Sequence, residues 1–278
     1  MRSTVILLAL SMLGVCHCAD SGRSSGKPSG DAAVLQYPGP PFSDAAALES
    51  DAQGPEASGE ARVMINEINA NIANSCDLLE LYVKEEGSLK GLALKERTST
   101  VHTWDAGESS EGVLIVIHFN KNTTACNPEA SESEHIATDE YPAIDYTTNF
   151  DGAYDVYISD TGLVATDNVL SLYSADGSIL DAVFLSDDAA GSTAEDTDIQ
   201  AARVAALGQW TMPDGQTPIG GFIDDTFNAY AVHDLNATST SALGPSLQRK
   251  GQTDHNHRGD WFEAELMPDA TFGALNPP

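Results

Sequence analysis

Residues 63–83 read Val-Met-Ile-Asn-Glu-Ile-Asn-Ala-Asn-Ile-Ala-Asn-Ser-Cys-Asp-Leu-Leu-Glu-Leu-Tyr-Val, two strand-like segments around a polar turn. Met64, Ile65 and Ile68 are the apolar positions of the first segment. In the second, Leu79, Leu81 and Val83 alternate with Leu78, Glu80 and Tyr82, the period of a half-buried strand. Between them Asn69, Asn71, Asn74, Ser75 and Asp77 supply turn chemistry. Glu67 and Glu80 are placed to face each other across the antiparallel pair, where two carboxylates can share a proton or hold a cation. The plainer reading gives each of them a hydrogen bond to turn backbone or contact with water, and gives Asn66 an amide that fixes a loop.

Further strands follow downstream. Residues 89–94 alternate, and Val113-Leu114-Ile115-Val116-Ile117 is a continuous apolar run of the kind buried on both faces. Residues 120–151 are polar and acidic, a long excursion before a short strand at 154–158. Residues 168–183 form a hairpin, because Asp176-Gly177 between alternating runs is a tight-turn signal. Ser192-Thr193-Ala194-Glu195 reads as a capping box that opens one Ala-rich helix ending before Gly208.

The opening pair resembles that of the lamin tail domain, in which the first strands read like Ile-Asn-Glu-Ile and Ile-Glu-Leu-Tyr. The hairpin around Asp176-Gly177 is similar to that family's Leu-Tyr, Asp-Gly, Val-Asp-x-Val hairpin. Ser246-Leu247-Gln248-Arg249, Asp260-Trp261 and Thr271-Phe272-Gly273 through Asn276 resemble its ending. Leu92 stands where the family has Trp, and Phe272 where it has Pro, which implies a repacked core. The resemblance implies an all-β, immunoglobulin-like β-sandwich over residues 62–278, in agreement with many short strands separated by turns. The helix and the stretches 120–151 and 189–242 are insertions to that pattern.

The chain has 278 residues, 41% of them hydrophobic, and a formal net charge of -29 from 42 acidic and 13 basic side chains. That hydrophobic content suffices for a packed core. The charge repels phosphate backbones and anionic lipid, so nucleic acid is excluded as a direct partner, and basic proteins or divalent cations are favoured. Residues 1–18 carry one early Arg2 and an apolar run too short to span a bilayer, the pattern of an export signal. Leu13-Gly14-Val15-Cys16 resembles a bacterial lipobox. Acylation falls on Cys16, with Cys18 the alternative, unless ordinary cleavage after Cys18 leaves a freely secreted chain. Residues 19–61, rich in Ser, Gly, Ala, Pro and Asp, lack periodic apolar positions and read as a flexible tether. Cys76 and Cys126 remain, and in an oxidising compartment such a pair forms a disulfide.

Asp254-His255-Asn256-His257-Arg258-Gly259-Asp260 gathers imidazoles and carboxylates in one loop, with His255, His257 and Asp260 as candidate metal ligands. Arg258-Gly259-Asp260 also spells a tripeptide that cell-surface integrins read. Asp151, Asp155, Asp160, Asp167, Asp187, Asp188, Asp196 and Asp198 crowd the middle of the chain, where calcium and a solvated acidic surface are the two readings. No nucleophile elbow, zinc-protease or phosphate-loop motif is present. The expectation is an exported module, either a cell-surface or outer-membrane lipoprotein or a secreted protein. It has no catalytic residues and no cofactor beyond possible calcium, and binds proteins or envelope components through its loops. Two alternatives stay open: a metal-dependent hydrolase using the 254–260 loop, and a calcium-stabilised adhesion module.

Overall fold

The computed structural model describes residues 59–187, 194–218, 221–223, 230–232, 238–263 and 267–278. The expected signal, the expected lipidation positions Cys16 and Cys18, and the expected tether up to residue 58 lie outside the described residues. The strands are β1 (Arg62–Asn69), β2 (Leu78–Glu85), β3 (Gly87–Ser88), β4 (Ala93–Glu96), β5 (Ser99–Thr103), β6 (Glu108–Ser109), β7 (Leu114–His118), β8 (Tyr154–Tyr157), β9 (Asn168–Tyr173), β10 (Ile179–Leu185) and β11 (Leu247–Gln248). One helix, α1 (Glu195–Ala206), interrupts them.

A bulge in β1 sets the arrangement. Ile65 pairs with Leu81 and Glu67 with Glu80, so Asn66 is an extra residue on one strand. The extra residue shifts the alternation, which places Val63, Ile65 and Ile68 on the inner face and turns Glu67 to the outer one. β2 needs no such shift: Leu79, Leu81 and Val83 point inward at period two.

The resulting sheet runs β11-β1-β2-β7-β8, antiparallel except for the parallel β7–β8 pair. A second sheet, β10-β9-β4-β5, packs against it, and β3 and β6 form a small two-stranded ribbon. Leu94, Leu170, Leu172 and Val183 meet Ile65, Leu79, Leu81, Ile115 and Ile117 between the sheets, all at 0% exposure. The fold is an all-β sandwich with one helix. The Asp176-Gly177 turn is confirmed: Ser174 N–H donates to Ser178 O at 2.9 Å, and Gly177 takes the left-handed φ of +85° that a side chain would resist.

The continuous apolar run of β7 has a physical cause. Its outward residues Leu114 and Val116 join Leu78, Ala153 and Phe272 in a second buried cluster on the outer face. The 120–151 excursion and the C-terminal residues cover that face, with Phe150 and Phe272 rings 5.7 Å apart. Gly152 permits the closest approach, because a Cβ there would lie 1.9 Å from Gly273 O.

Three expectations need correction. The strand expected at 89–94 begins only at Ala93; Leu89 and Leu92 are buried in the turn before it. Helix α1 starts with Ala194 at its N-cap and no side-chain cap, so Ser192-Glu195 is not its capping box; Ser192 lies outside the described residues. The helix is held instead by acidic residues in its first turn and by Gln200, whose Nε2 donates to Ser171 Oγ and Tyr173 OH. Finally, the folded domain extends into the expected tether: Ala61 is buried, and its N–H donates to Ser88 O at 2.9 Å.

Cys76 and Cys126 are bonded, with Cα atoms 5.0 Å apart and a sequence separation of 50. The bond ties the turn after β1 to the start of the excursion. Reduction is expected to cost ~2–4 kcal/mol of stability, read as a lower denaturant midpoint in the presence of reductant. An unchanged midpoint would mean that the excursion is held without the bond.

Candidate functional site

Glu67 and Glu80 face each other as the register of β1 and β2 requires, and both are fully buried. Neither faces water. Glu67 Oε1 accepts from Ser246 Oγ at 2.6 Å and from Thr271 N–H at 3.0 Å, and its Oε2 accepts from Thr271 Oγ1 at 2.9 Å. Glu80 Oε1 accepts from Asn66 Nδ2 at 2.7 Å, and Oε2 from Gly273 N–H at 2.7 Å. Asn66 therefore fixes a carboxylate rather than a loop. Burial pushes both carboxyls up, Glu80 well above the usual range because the Glu67 charge adds to the effect of burial. The pair is a fastening for the returning C-terminal segment through Ser246, Thr271 and Gly273.

A second fastening lies on the same strand. Arg249 follows β11 and is 1% exposed. Its Nη2 donates to both oxygens of Asp181 at 2.8 and 3.1 Å, its Nη1 to Asp254 Oδ1 at 3.0 Å, and its Nε to Ile65 O at 2.9 Å. The guanidinium also lies 4.8 Å over the buried Trp261 ring. Asp181 accepts from Ile65 N–H at 2.6 Å, so one ion pair joins β1, β10 and the segment after β11. Burial pushes the Asp181 carboxyl up to about 6, against the pull of Arg249, which leaves it charged and paired at neutral pH.

The 254–260 loop packs beside this pair. Asp260 is buried, and its Oδ2 accepts from His255 N–H at 2.7 Å and His257 N–H at 3.3 Å. His255 Nδ1 meets Asp260 Oδ1 at 2.7 Å, and His257 Nδ1 lies 3.8 Å from the same oxygen. The expected trio is brought together. The integrin reading of Arg258-Gly259-Asp260 is overturned by the same burial, since an aspartate 3% exposed cannot reach a receptor's metal ion. Among the described residues the mid-chain aspartates form no grouping of three within ligand reach. Asp155 and Asp167 are buried instead of lying on a solvated surface.

A further feature has no counterpart among the expected site residues. A cleft of about 640 Å³ opens over the outer face, walled by Thr147–Gly152 backbone on one side and Ala242, Leu243 and Phe272 on the other, with the disulfide at one end. His118 lines it; beneath the surface its Nε2 meets Asp155 Oδ1 at 2.5 Å, and its ring stacks on Tyr157 at 4.3 Å between centroids. Asp155 Oδ2 accepts from Phe150 N–H, so the pair anchors the cleft wall to β7 and β8. Burial raises the Asp155 carboxyl against the pull of His118. The sequence signal is a polar residue ending an apolar strand, His118, and an aspartate flanked by Tyr154 and Val156.

Among the described residues no helix is long and apolar enough to cross a membrane. Comparison with curated proteins gives no match. Residues 61–262 match the model of a family described as TP_1001_2nd, protein second domain. That match runs from the residue before β1 past Trp261, across the Arg249–Asp181 pair and the His/Asp loop and including Glu67 and Glu80 but not their partners Thr271 and Gly273, and covers well over half of the chain. The protein therefore belongs to the TP_1001 second-domain family.

Proposed function

We propose that this protein is an exported, non-catalytic binding module, a lamin-tail-like sandwich that engages a protein or cell-envelope component through loops at one face. The observation that carries the reading is the use made of the buried charges. Glu67, Glu80, Asp181 and Arg249 bond to the chain's own backbone and side chains and close the sandwich, so they are not free to do chemistry on a substrate. The loop-walled cleft over β7 and β8 is the surface best suited to a partner. Leu243 stands at its rim 77% exposed, above an apolar floor of Leu78 and Phe272. The net charge of -29 favours a partner with basic residues around an apolar contact.

The test is a photo-crosslinking amino acid placed at Leu243, and for comparison at Leu207, which is also exposed but lies at the end of α1. Adducts to a discrete protein in the producing cell from position 243 but not 207 are the expected result. Equal adducts from both positions, or none, would remove the cleft as the binding face.

A further inference from the structure

We infer that His255, His257 and Asp260 form a binding site for one divalent metal ion of the zinc class, at the rim of the sandwich beside the Arg249–Asp181 pair. The inference does not depend on the cleft reading above. One ligand atom from each of the three residues lies within 4.8 Å of the others. A zinc ion with bonds of ~2.0–2.1 Å needs its tetrahedral ligands roughly 3.3 Å apart, a spacing bracketed by the 2.7 and 3.8 Å from Asp260 Oδ1 to the two imidazole Nδ1 atoms. Side-chain rotation of the two histidines closes the three ligand atoms, already within 4.8 Å of one another, on the ion.

Two observations point to a ligand rather than to a packed loop. His257 Nδ1 is buried and has no hydrogen-bond partner. A buried ring nitrogen without a partner is costly, and a metal would satisfy it. The loop also holds the ring in place without blocking it: a Cβ on Gly259 would lie 2.8 Å from His257 Cε1 and 3.0 Å from Nδ1. The supporting hydrogen bonds are present as well, since Asp260 Oδ2 takes the His255 and His257 N–H groups and leaves Oδ1 aimed at the imidazoles.

The nearby cations are otherwise engaged. Arg249 is paired with Asp181 and Asp254 and meets Asp260 only at Oδ2, the oxygen not offered to the ion, at 3.8 Å, and Lys250 Nζ donates to Gly259 O at 3.2 Å. Two neutral imidazoles and one carboxylate select a borderline cation over calcium, which prefers an all-oxygen shell. Three protein ligands leave a fourth position open to water or to a group from a partner.

The test is titration of the full chain with cobalt(II), followed by zinc, in excess magnesium so that carboxylate-only sites on this acidic surface are occupied. The expected result is one cobalt per chain with the intense visible absorption of a low-coordinate site, displaced by one equivalent of zinc. His257→Ala should weaken binding by about a hundredfold and Gly259→Ala by about tenfold, while His135→Ala changes nothing. His255→Ala, at a side chain 62% exposed, removes a ligand without touching the core and should weaken binding like His257→Ala. Undiminished affinity in His255→Ala, or the weak spectrum of a six-coordinate ion in the unaltered chain, would overturn the assignment.

Discussion

Arg249→Ala is expected to cost about 3–5 kcal/mol, because it leaves the Asp181 carboxylate charged, buried and without its counter-ion. The guanidinium also supplies the donor to Ile65 O and covers the Trp261 ring, so the loss reaches β1 and the 254–260 loop together. That is a large share of the stability of an ordinary domain, and the variant should be mostly unfolded at moderate denaturant. Arg249→Lys should recover little. One ammonium cannot reproduce a two-pronged contact with Asp181 and a third bond to Asp254. Urea denaturation of the three proteins at pH 7 checks the order. An Arg249→Lys midpoint equal to that of the unaltered chain would mean that charge alone, without the fork geometry, holds these strands.

Mild acidification should stabilise the protein, against the habit of most carboxylate-rich domains. Burial raises the carboxyls of Glu67, Glu80, Glu96, Glu134 and Asp155, and lifts that of Asp77 to about 6. A carboxyl whose folded pKa exceeds its unfolded value holds more protons in the folded state. Its contribution is complete below the unfolded pKa and is lost as pH rises through the folded one. For Asp77, with an ordinary value of 3.8 and a folded value of about 6, that contribution is ~2 kcal/mol between pH 7 and pH 4. Half-buried His102 opposes it, because its lowered pKa makes acidification costly. The carboxyls outnumber it, and relief of the repulsion within a chain of net charge -29 acts in their favour. Melting at pH 5 should exceed melting at pH 8 by roughly 10 °C. A maximum at pH 7 or above would show that these carboxyls are solvated in the folded state.

Local pattern made the strands legible. Period two marked β2, Asp176-Gly177 marked the β9–β10 hairpin, and a continuous apolar run marked β7 as covered on both faces. The bulge was half visible, since Ile65 and Ile68 are three apart where a regular strand would need two or four. Glu67 and Glu80 were legible as a facing pair but not as buried ones, because what buries them is Thr271 and Gly273, about 200 residues further along the chain. Arg249 shows the limit most clearly. It stands in a Ser-Leu-x-Arg ending that sequence can recognise, yet its partner Asp181 is 68 residues away and nothing local distinguishes either from a surface charge. The trio of His255, His257 and Asp260 was found because all three sit in one loop. His118 and Asp155, on strands joined only by tertiary pairing, escaped for the opposite reason.

The claim on which the rest depends is that the buried charges fasten the sandwich rather than serve a reaction, and a double-mutant cycle on Arg249 and Asp181 tests it most directly. Denaturation free energies of Arg249→Met, Asp181→Asn and the double variant at pH 7 should show each single change to be severe, with the double costing at least ~2 kcal/mol less than their sum. Additivity to within ~0.5 kcal/mol would contradict the account, because it would mean that the two side chains do not hold each other and that the strands are closed by something else.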